Sequence, residues 1–260
     1  MKILISGVHG FVGSNLVEYL KSDNEIYGLD IISPEKTGVV KTFSWDDLDA
    51  GVVPAMDAII HLAGKAHDTK NKSAADVYFK VNTGLTQKIF DYFLASGASK
   101  FVFFSTAKAA ADRVEGVLTE DVVPTPVGPY GESKIQAEKY ILDALSEIPT
   151  DFSDKRVYIF RPCMIHGPGN KGNLNLLYSV VRKGIPWPLG AFENRRTFTS
   201  IENICFAVNG VLTKDVPSGI YNMGDDEALS TNELIGEICK SLGKKAHIWK
   251  LPKGLMTSIA

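Results

Sequence analysis

The first thirty residues constrain the fold more than any other part of the chain. Lys2-Ile3-Leu4-Ile5-Ser6 is a short apolar run, and Gly7-Val8-His9-Gly10-Phe11-Val12-Gly13 follows at once and opens a helical pattern from Phe11 to Lys21. Strand, glycine turn and helix in that order place three glycines where each has a job. Gly7 permits the tight turn, Gly10 lets backbone approach a diphosphate, and Gly13 lets the helix pack against the strand, with the helix N-terminus turned toward the anion. Phe11 and Val12, at the start of the helix, complete the candidate cofactor contacts of the loop. A second run, Glu25 to Asp30, ends in a carboxylate about 20 residues on, where it can accept hydrogen bonds from adenosine ribose hydroxyls and repel a 2′-phosphate. That favours NAD over NADP. His9 reads as an exposed polar residue of the loop.

The same alternation of short apolar runs with longer helical patterns continues along the chain. Strands are expected at Val39 to Phe43, Asp57 to Leu62, Lys100 to Ser105, Arg156 to Phe160 and Gly219 to Met223, and helices near Ala74 to Ala95, Pro129 to Leu145 and Thr231 to Leu242. The expected fold is α/β, a doubly wound parallel Rossmann-type sheet with a smaller C-terminal substrate lobe. After Arg161 the composition shifts toward Gly, Pro and Asn, through His166-Gly167-Pro168-Gly169-Asn170 and Ile185-Pro186-Trp187-Pro188, as loops facing a substrate do. The expected division is therefore residues 1–165 for the dinucleotide domain and 166–260 for the lobe, with the segment near 200–223 returning a helix and a strand to the sheet.

Bulk properties exclude several function classes. With 260 residues, a net charge of -2, 45% hydrophobic and 22% charged residues, and no basic block, nothing points to nucleic acid or an anionic membrane surface. The N-terminal apolar run meets Gly7, His9 and Gly10 too soon for a signal-peptide core or a spanning helix, so the expected compartment is the cytoplasm. Cys163, Cys205 and Cys239 have no metal-ligand spacing and read as reduced thiols in or near the core.

Tyr130-Gly131-Glu132-Ser133-Lys134 supplies candidate chemistry. On a helix its Tyr and Lys share one face at i and i+4, and an ammonium beside a phenol favours the phenolate. The pair reads as a tyrosine activated for proton transfer.

Glycine loop and Tyr-Lys pair together resemble the extended short-chain dehydrogenase/reductases of the NAD-dependent epimerase/dehydratase family, from Met1 to about Pro252. Further matches lie in Asp57-Ala58-Ile59-Ile60-His61-Leu62-Ala63-Gly64, in Val81-Asn82-Thr83-Gly84, in Phe103-Phe104-Ser105-Thr106-Ala107, in Arg161-Pro162 and in Gly167-Pro168-Gly169. The resemblance implies that Leu62, Ala63, Gly64, Asn82 and Ser105 lie at the cofactor, and that Thr106, Tyr130 and Lys134 are catalytic, Tyr130 and Lys134 also touching cofactor. It further implies that Asn173, in Gly172-Asn173-Leu174, and Arg196, in Arg195-Arg196-Thr197, bind the diphosphate of a sugar nucleotide, with Thr106 also at the substrate. A guanidinium suits that job because its planar fork holds phosphate oxygens in pairs.

Finer details resemble a subgroup of UDP-glucose 4-epimerase-like proteins and 4-keto-6-deoxy sugar nucleotide reductases. They are His61 to Ala63 with His67, Ser105 to Lys108, and Pro188-Leu189-Gly190 ahead of Asn194-Arg195-Arg196. The implied function is oxidoreduction at C4 of a UDP-sugar, as a 4-epimerase of a UDP-hexose or UDP-N-acetylhexosamine, with a 4-ketoreductase as the alternative. Asp30 tilts the reading to the epimerase, because a preference for NAD suits a cofactor recycled in place. A protein of this fold that only senses dinucleotide usually loses the tyrosine or the lysine; this chain keeps both. Family dehydratases carry Asp-Glu after the catalytic Thr, where this chain has Ala107-Lys108, which argues against dehydration. Met164 and His166 replace the family's usual Asn and Tyr, and relatives continue beyond Ala260, so either the chain is truncated or its lobe is minimal. A homodimer through the helices carrying Asn82 and Tyr130 is implied as well.

Overall fold

A computed structural model describes residues 1–66, 74–147, 154–170 and 172–252. In chain order the elements are β1 (Lys2–Ser6), α1 (Phe11–Leu20), β2 (Glu25–Leu29), β3 (Lys41–Phe43), α2 (Trp45–Asp49), β4 (Ala58–His61), α3 (Ala75–Tyr78), a π-helical turn (Phe79–Gly84), α4 (Leu85–Ala95), β5 (Lys100–Phe104), α5 (Ala107–Ala110), α6 (Gly128–Glu147), β6 (Arg156–Pro162), β7 (Met164–His166), α7 (Asn173–Arg182), β8 (Arg196–Ser200), α8 (Ile201–Thr213), β9 (Gly219–Met223), β10 (Ala228–Leu229) and α9 (Thr231–Ser241). Two units emerge: Met1–Cys163 with Ile201–Met223, and Met164–Ser200 with Gly224–Ala260.

The first unit is built on seven strands in the order β3-β2-β1-β4-β5-β6-β9, every neighbouring pair parallel. This is the doubly wound parallel sheet that the strand and helix alternation implies. Register aligns Ile3 with Ile26 on one side and Ala58 on the other. Ile3, Leu4 and Ile5 are all fully buried, as are Ile59 and Ile60, because helices cover both faces of the sheet. A strand buried on both faces has no polar face to alternate with, which is why these runs are continuously apolar. One face packs Leu4, Ile59, Phe101 and Ile159 against Ile89, Phe90 and Phe93 of α4 and Ala137 and Ile141 of α6. Each of the Leu, Ile and Phe side chains contributes about 1.5–3 kcal/mol of burial.

Three local departures have physical reasons. β3 begins at Lys41, not Val39, because Val39 N–H turns back to the Lys36 carbonyl and Val40 is exposed. The helix expected from Ala74 to Ala95 is interrupted by the π-helical turn, whose wider spacing turns Asn82 and Thr83 into the interior. There Asn82 Oδ1 accepts from Lys65 N–H at 2.7 Å, its amide donates to Ser133 Oγ at 2.9 Å, and Thr83 Oγ1 donates to the Ser133 carbonyl at 2.9 Å. These bonds offset the poorer backbone geometry of the turn. β6 runs two residues longer than expected, to Pro162, because β9 pairs with it to the end, Pro162 opposite Met223.

At the N-terminal ends of β5 and β6 two lysines hold helix termini. Lys100 Nζ donates to the carbonyls of Val211 at 2.8 Å and Leu212 at 2.7 Å, at the end of α8. Lys155 Nζ donates to the carbonyls of Phe93 at 3.0 Å, in the last turn of α4, and of Ser96 at 2.9 Å and Ala98 at 2.9 Å, just beyond it. A helix C-terminus leaves carbonyls without intrahelical partners and carries partial negative charge, so an ammonium there does both jobs.

The second unit holds a three-stranded sheet, β10-β8-β7, with β7 parallel and β10 antiparallel to β8. α7 packs on α9 through Val181, Ile235 and Cys239, with Trp187 and Ile248 beside them. α9 starts at a capping box, Ser230 accepting from Glu233 N–H and Glu233 accepting from Ser230 N–H. Cys163, Cys205 and Cys239 are free thiols, and burial pushes the Cys205 thiol up to about 11. Among the described residues no helix is long and apolar enough to cross a membrane.

Candidate functional site

The glycine loop sits at the C-terminal end of β1, as the chain order requires. Gly7 has a φ of 72°, which favours glycine, and a Cβ there would stand 2.9 Å from Ala63 N. A Cβ on Gly13 would collide with the Gly7 carbonyl and the Val8 backbone. Gly10 precedes α1 without a side-chain cap, and the first turn, Phe11 and Val12 included, carries no acidic residue. The helix terminus is therefore open to an anion. Asp30 follows β2 and turns its carboxylate to the loop: Oδ2 accepts from His9 N–H at 3.2 Å and Oδ1 from Ile31 N–H at 2.8 Å. His9 is half-buried, not exposed, and its Nε2 is enclosed with no hydrogen-bond partner. Its own backbone bond to Asp30 holds the loop inward and carries the ring with it.

Leu62, Ala63 and Gly64 leave β4 beside this loop, tied to it through Ser6. Leu62 and Ala63 N–H both donate to Ser6 Oγ at 3.1 Å, so the Ser6 hydrogen goes to His61 Nδ1 at 2.6 Å. That fixes the tautomer. His61 Nε2–H then donates to Thr86 Oγ1 at 3.0 Å, and Thr86 donates to the Asn82 carbonyl at 2.6 Å. Burial, aided by the Lys134 charge, holds the His61 pKa well below its ordinary value, so the ring stays neutral. A single directed chain of hydrogen bonds thus connects the glycine loop to the π-helical turn.

The Tyr-Lys pair lies on α6, one turn apart. Lys134 is buried; its Nζ donates to the Phe104 carbonyl at 2.8 Å and stands 4.9 Å from the centre of the Phe103 ring. A Cβ on Gly64 would stand 3.0 Å from Asn82 Oδ1 and 3.2 Å from Lys134 Nζ, so Gly64, Asn82 and Lys134 meet in one place. Thr106 is buried, caps α5 by accepting from Lys108 N–H at 3.3 Å, and hydrogen-bonds the Tyr130 phenol. Lys134 is not what governs that phenol here. Burial raises the Tyr130 pKa, the Thr106 bond lowers it, and Tyr78 raises it again. Lys134 is itself brought down to about 8, by burial against a smaller opposing effect of Glu138. Desolvation of two groups outweighs the mutual stabilisation that the i, i+4 spacing suggests.

Ser105, a candidate cofactor residue, has its hydroxyl committed elsewhere: it donates to Glu138 Oε1. Glu138 is fully buried and paired with Arg161, whose Nε donates to both carboxylate oxygens at 3.1 Å and whose Nη2 donates to Oε2 at 2.6 Å. Sequence reasoning missed Glu138. The available signal was its position, another turn beyond Lys134 on the same helix face.

The second unit carries the remaining candidates. Arg196 opens β8 with an exposed side chain. Its neighbour Arg195 donates to the Ala228 carbonyl at 3.1 Å and lies 3.7 Å from Glu233. Asn173 begins α7, but its side chain lies outside the described residues, as does His67. His166 Nε2 stands 3.5 Å from Asp225 Oδ2, and the same oxygen accepts from Ser200 N–H at 3.1 Å.

Sheet order, uncapped glycine loop and the acid after β2 define a dinucleotide-binding protein of the Rossmann class, with a Thr-Tyr-Lys set at its strand ends. The chain belongs to the NAD dependent epimerase/dehydratase family, whose model matches residues 3–224. It is 32% identical to a UDP-glucose 4-epimerase of Vibrio cholerae, over 96% of this chain and 78% of that one. It is 29% identical to the N-acetyl-alpha-D-glucosaminyl-diphospho-ditrans,octacis-undecaprenol 4-epimerase of Escherichia coli O157:H7, over 96% of this chain and 75% of that one. Its fold matches the structure of a UDP-glucuronic acid 4-epimerase from Bacillus cereus in complex with UDP-glucuronic acid and NAD, with a TM-score of 0.78 at 23% identity, covering 95% of this chain and 85% of the other.

Proposed function

We propose that the protein is an NAD-dependent 4-epimerase of a UDP-hexose or UDP-N-acetylhexosamine. The observation that carries the reading is the meeting of Thr106, Tyr130 and Lys134 at the ends of β5 and α6, with Gly64 against Lys134 and the glycine loop beside it. The sequence similarity to 4-epimerases supports the choice of reaction. The loop fits the cofactor because Gly7 and Gly13 let the turn and α1 pack closer to their neighbours than any Cβ allows, and because the uncapped α1 N-terminus suits a pyrophosphate. Gly7, Gly10, Phe11, Val12 and Gly13 would hold the pyrophosphate, Asp30 the adenosine ribose, and Leu62 to Gly64, Asn82, Ser105 and Lys134 the nicotinamide end. When bound, NAD accepts a hydride from C4 and returns it to the opposite face.

In this scheme Tyr130 takes the proton of the C4 hydroxyl as the C4 carbon is oxidised, and gives it back as the ketone is reduced. Thr106 holds the same oxygen by hydrogen bonding. Lys134, protonated, favours the phenolate that burial otherwise disfavours. The second unit serves as substrate lobe, with Arg196 and Asn173 as its diphosphate-binding residues. Ala107 and Lys108 offer no carboxylate next to Thr106, and Lys108 is paired with Asp112 at 2.9 Å, so elimination of water has no acid there. A cytoplasmic homodimer joined through the helices of Asn82 and Tyr130 completes the proposal; a monomer mass in light scattering refutes that part.

The test is proton NMR of the purified protein with UDP-glucose or UDP-N-acetylglucosamine and no added cofactor. Formation of the galacto epimer is expected. Tyr130→Phe should lose turnover by at least about 10³-fold, the scale of a lost acid/base group, while NAD stays bound. No epimer from any UDP-sugar, with oxidation of added NADH by a 4-keto sugar nucleotide, overturns the epimerase in favour of a reductase.

A further inference from the structure

Beneath the Tyr-Lys pair lies an ion pair that the proposed reaction does not touch. Glu138 sits one turn beyond Lys134 on α6 and is fully buried; Arg161, on β6, is 2% exposed. Three guanidinium bonds and the Ser105 hydroxyl converge on the one carboxylate. Three elements are tied by it: β5, through the residue just before Thr106; α6, which carries Tyr130 and Lys134; and β6. Arg161 Nη1 is buried with no hydrogen-bond partner, so the guanidinium is spent on Glu138 alone. An ion pair this dry is a poor source of stability, because the desolvation of both charges offsets their attraction. Its placement calls for another role.

We infer that Glu138 and Arg161 are a positioning pair, which locks the Tyr130–Lys134 face of α6 to the Thr106 end of β5 and sets two opposed charges beneath Lys134. The inference rests on the proposed roles of Tyr130 and Lys134. Lys134 has no carboxylate within ion-pair distance among the described residues. The groups around it are Tyr130 and Glu138 on its own helix, neutral His61 at the end of β4, Lys65 beyond it, Tyr78 on α3, Arg161 on β6 and the Phe103 ring of β5. Of these Glu138 is the one buried anion. It raises the Lys134 pKa against the burial that lowers it to about 8. Arg161 anchors that carboxylate, and its charge, of the same sign as the ammonium, should work against it.

The two partners therefore act on Lys134 with opposite sign. Glu138→Gln keeps shape but leaves Arg161 uncompensated, so Lys134 should lose its proton about one pH unit lower. Arg161→Met leaves the carboxylate uncompensated and should move the same titration about one unit up. The double variant returns it near the wild-type value, and Arg161→Lys, which keeps the charge, leaves it unmoved. The readout is the Lys134 Cε titration in the full-length protein labelled with 13C-lysine, assigned by its loss in Lys134→Arg. It needs no substrate, so it stands even where no UDP-sugar is turned over. Where turnover is found, the alkaline limb of the pH–rate profile should move with the NMR value in each variant. Loosened packing alone would lower rates in both single variants without opposite titration shifts. Equal titrations in all variants, or shifts of one sign, overturn the inference. Should one single variant fail to fold, the remaining single variant and the double variant, with wild type, still fix the sign.

Discussion

Lys134→Met separates stability from chemistry in a way that can be worked out in advance. Lys134 is buried and its pKa falls from 10.5 to about 8, mainly through desolvation. Holding the ammonium charged below pH 8 therefore costs the folded state about 3 kcal/mol. The sign follows from proton counts. Between about pH 8 and 10.5 the unfolded chain keeps a proton on this lysine that the folded chain has released, so stability rises with pH across that window and the cost is present in full below it. Methionine fills much of the same volume without a charge, but forfeits the bond from Nζ to the Phe104 carbonyl, about 1 kcal/mol. The variant should be about 2 kcal/mol more stable than the wild type at pH 7, and no more stable at pH 10.5. Urea unfolding of the ligand-free proteins at both pH values measures this, as a rise of roughly 1 M in midpoint at pH 7 for an m of about 2 kcal/mol/M. Turnover should be lost at every pH. A variant less stable than wild type at pH 7, or a stability difference that ignores pH, refutes the reasoning.

Other perturbations follow from the same geometry. Gly13→Ala forces a Cβ against the Gly7 carbonyl and the Val8 backbone, and should weaken NAD binding at least about tenfold in calorimetry, an effect of about 1.4 kcal/mol. Asp30→Ser removes the anion beside the loop and should raise the affinity for NADP relative to NAD, read from competitive binding of the two. Lys155→Met deprives the Phe93, Ser96 and Ala98 carbonyls of their common donor and should cost about 2 kcal/mol in urea unfolding, with the activity of the folded protein unchanged.

The sheet was legible because parallel strands buried on both faces write themselves as unbroken apolar runs: Ile3, Leu4 and Ile5 mark β1, which begins and ends where the pattern does. Turns set by glycine were legible for a similar reason, since Gly7 and Gly13 occupy places no other residue fits. Features settled by distant partners were not. The π-helical turn inside an otherwise even helical pattern depends on Lys65 and Ser133 meeting Asn82 across 17 and 51 residues. Nothing local in the sequence marks Glu138 as buried, and only the return of β6 brings Arg161 to it. The field around Tyr130 was misjudged for one cause: spacing tells which groups face one another, whereas the desolvation that outweighs their attraction depends on everything packed around them.

The lysine clamps have a consequence for how such a protein can change. Lys100 and Lys155 grip helix ends at the edge where strands β5 and β6 begin, and the Lys2 N–H bond to Asp57 at 2.7 Å closes the same edge between β1 and β4. Thr106, Asp30 and the glycine loop all lie where strands finish. Robustness and reactivity are thus assigned to opposite rims of one sheet, a strand's length apart. Directed evolution can harden the first rim by reinforcing its clamps, and then spend that reserve on destabilising exchanges at the second, where new substrates are won.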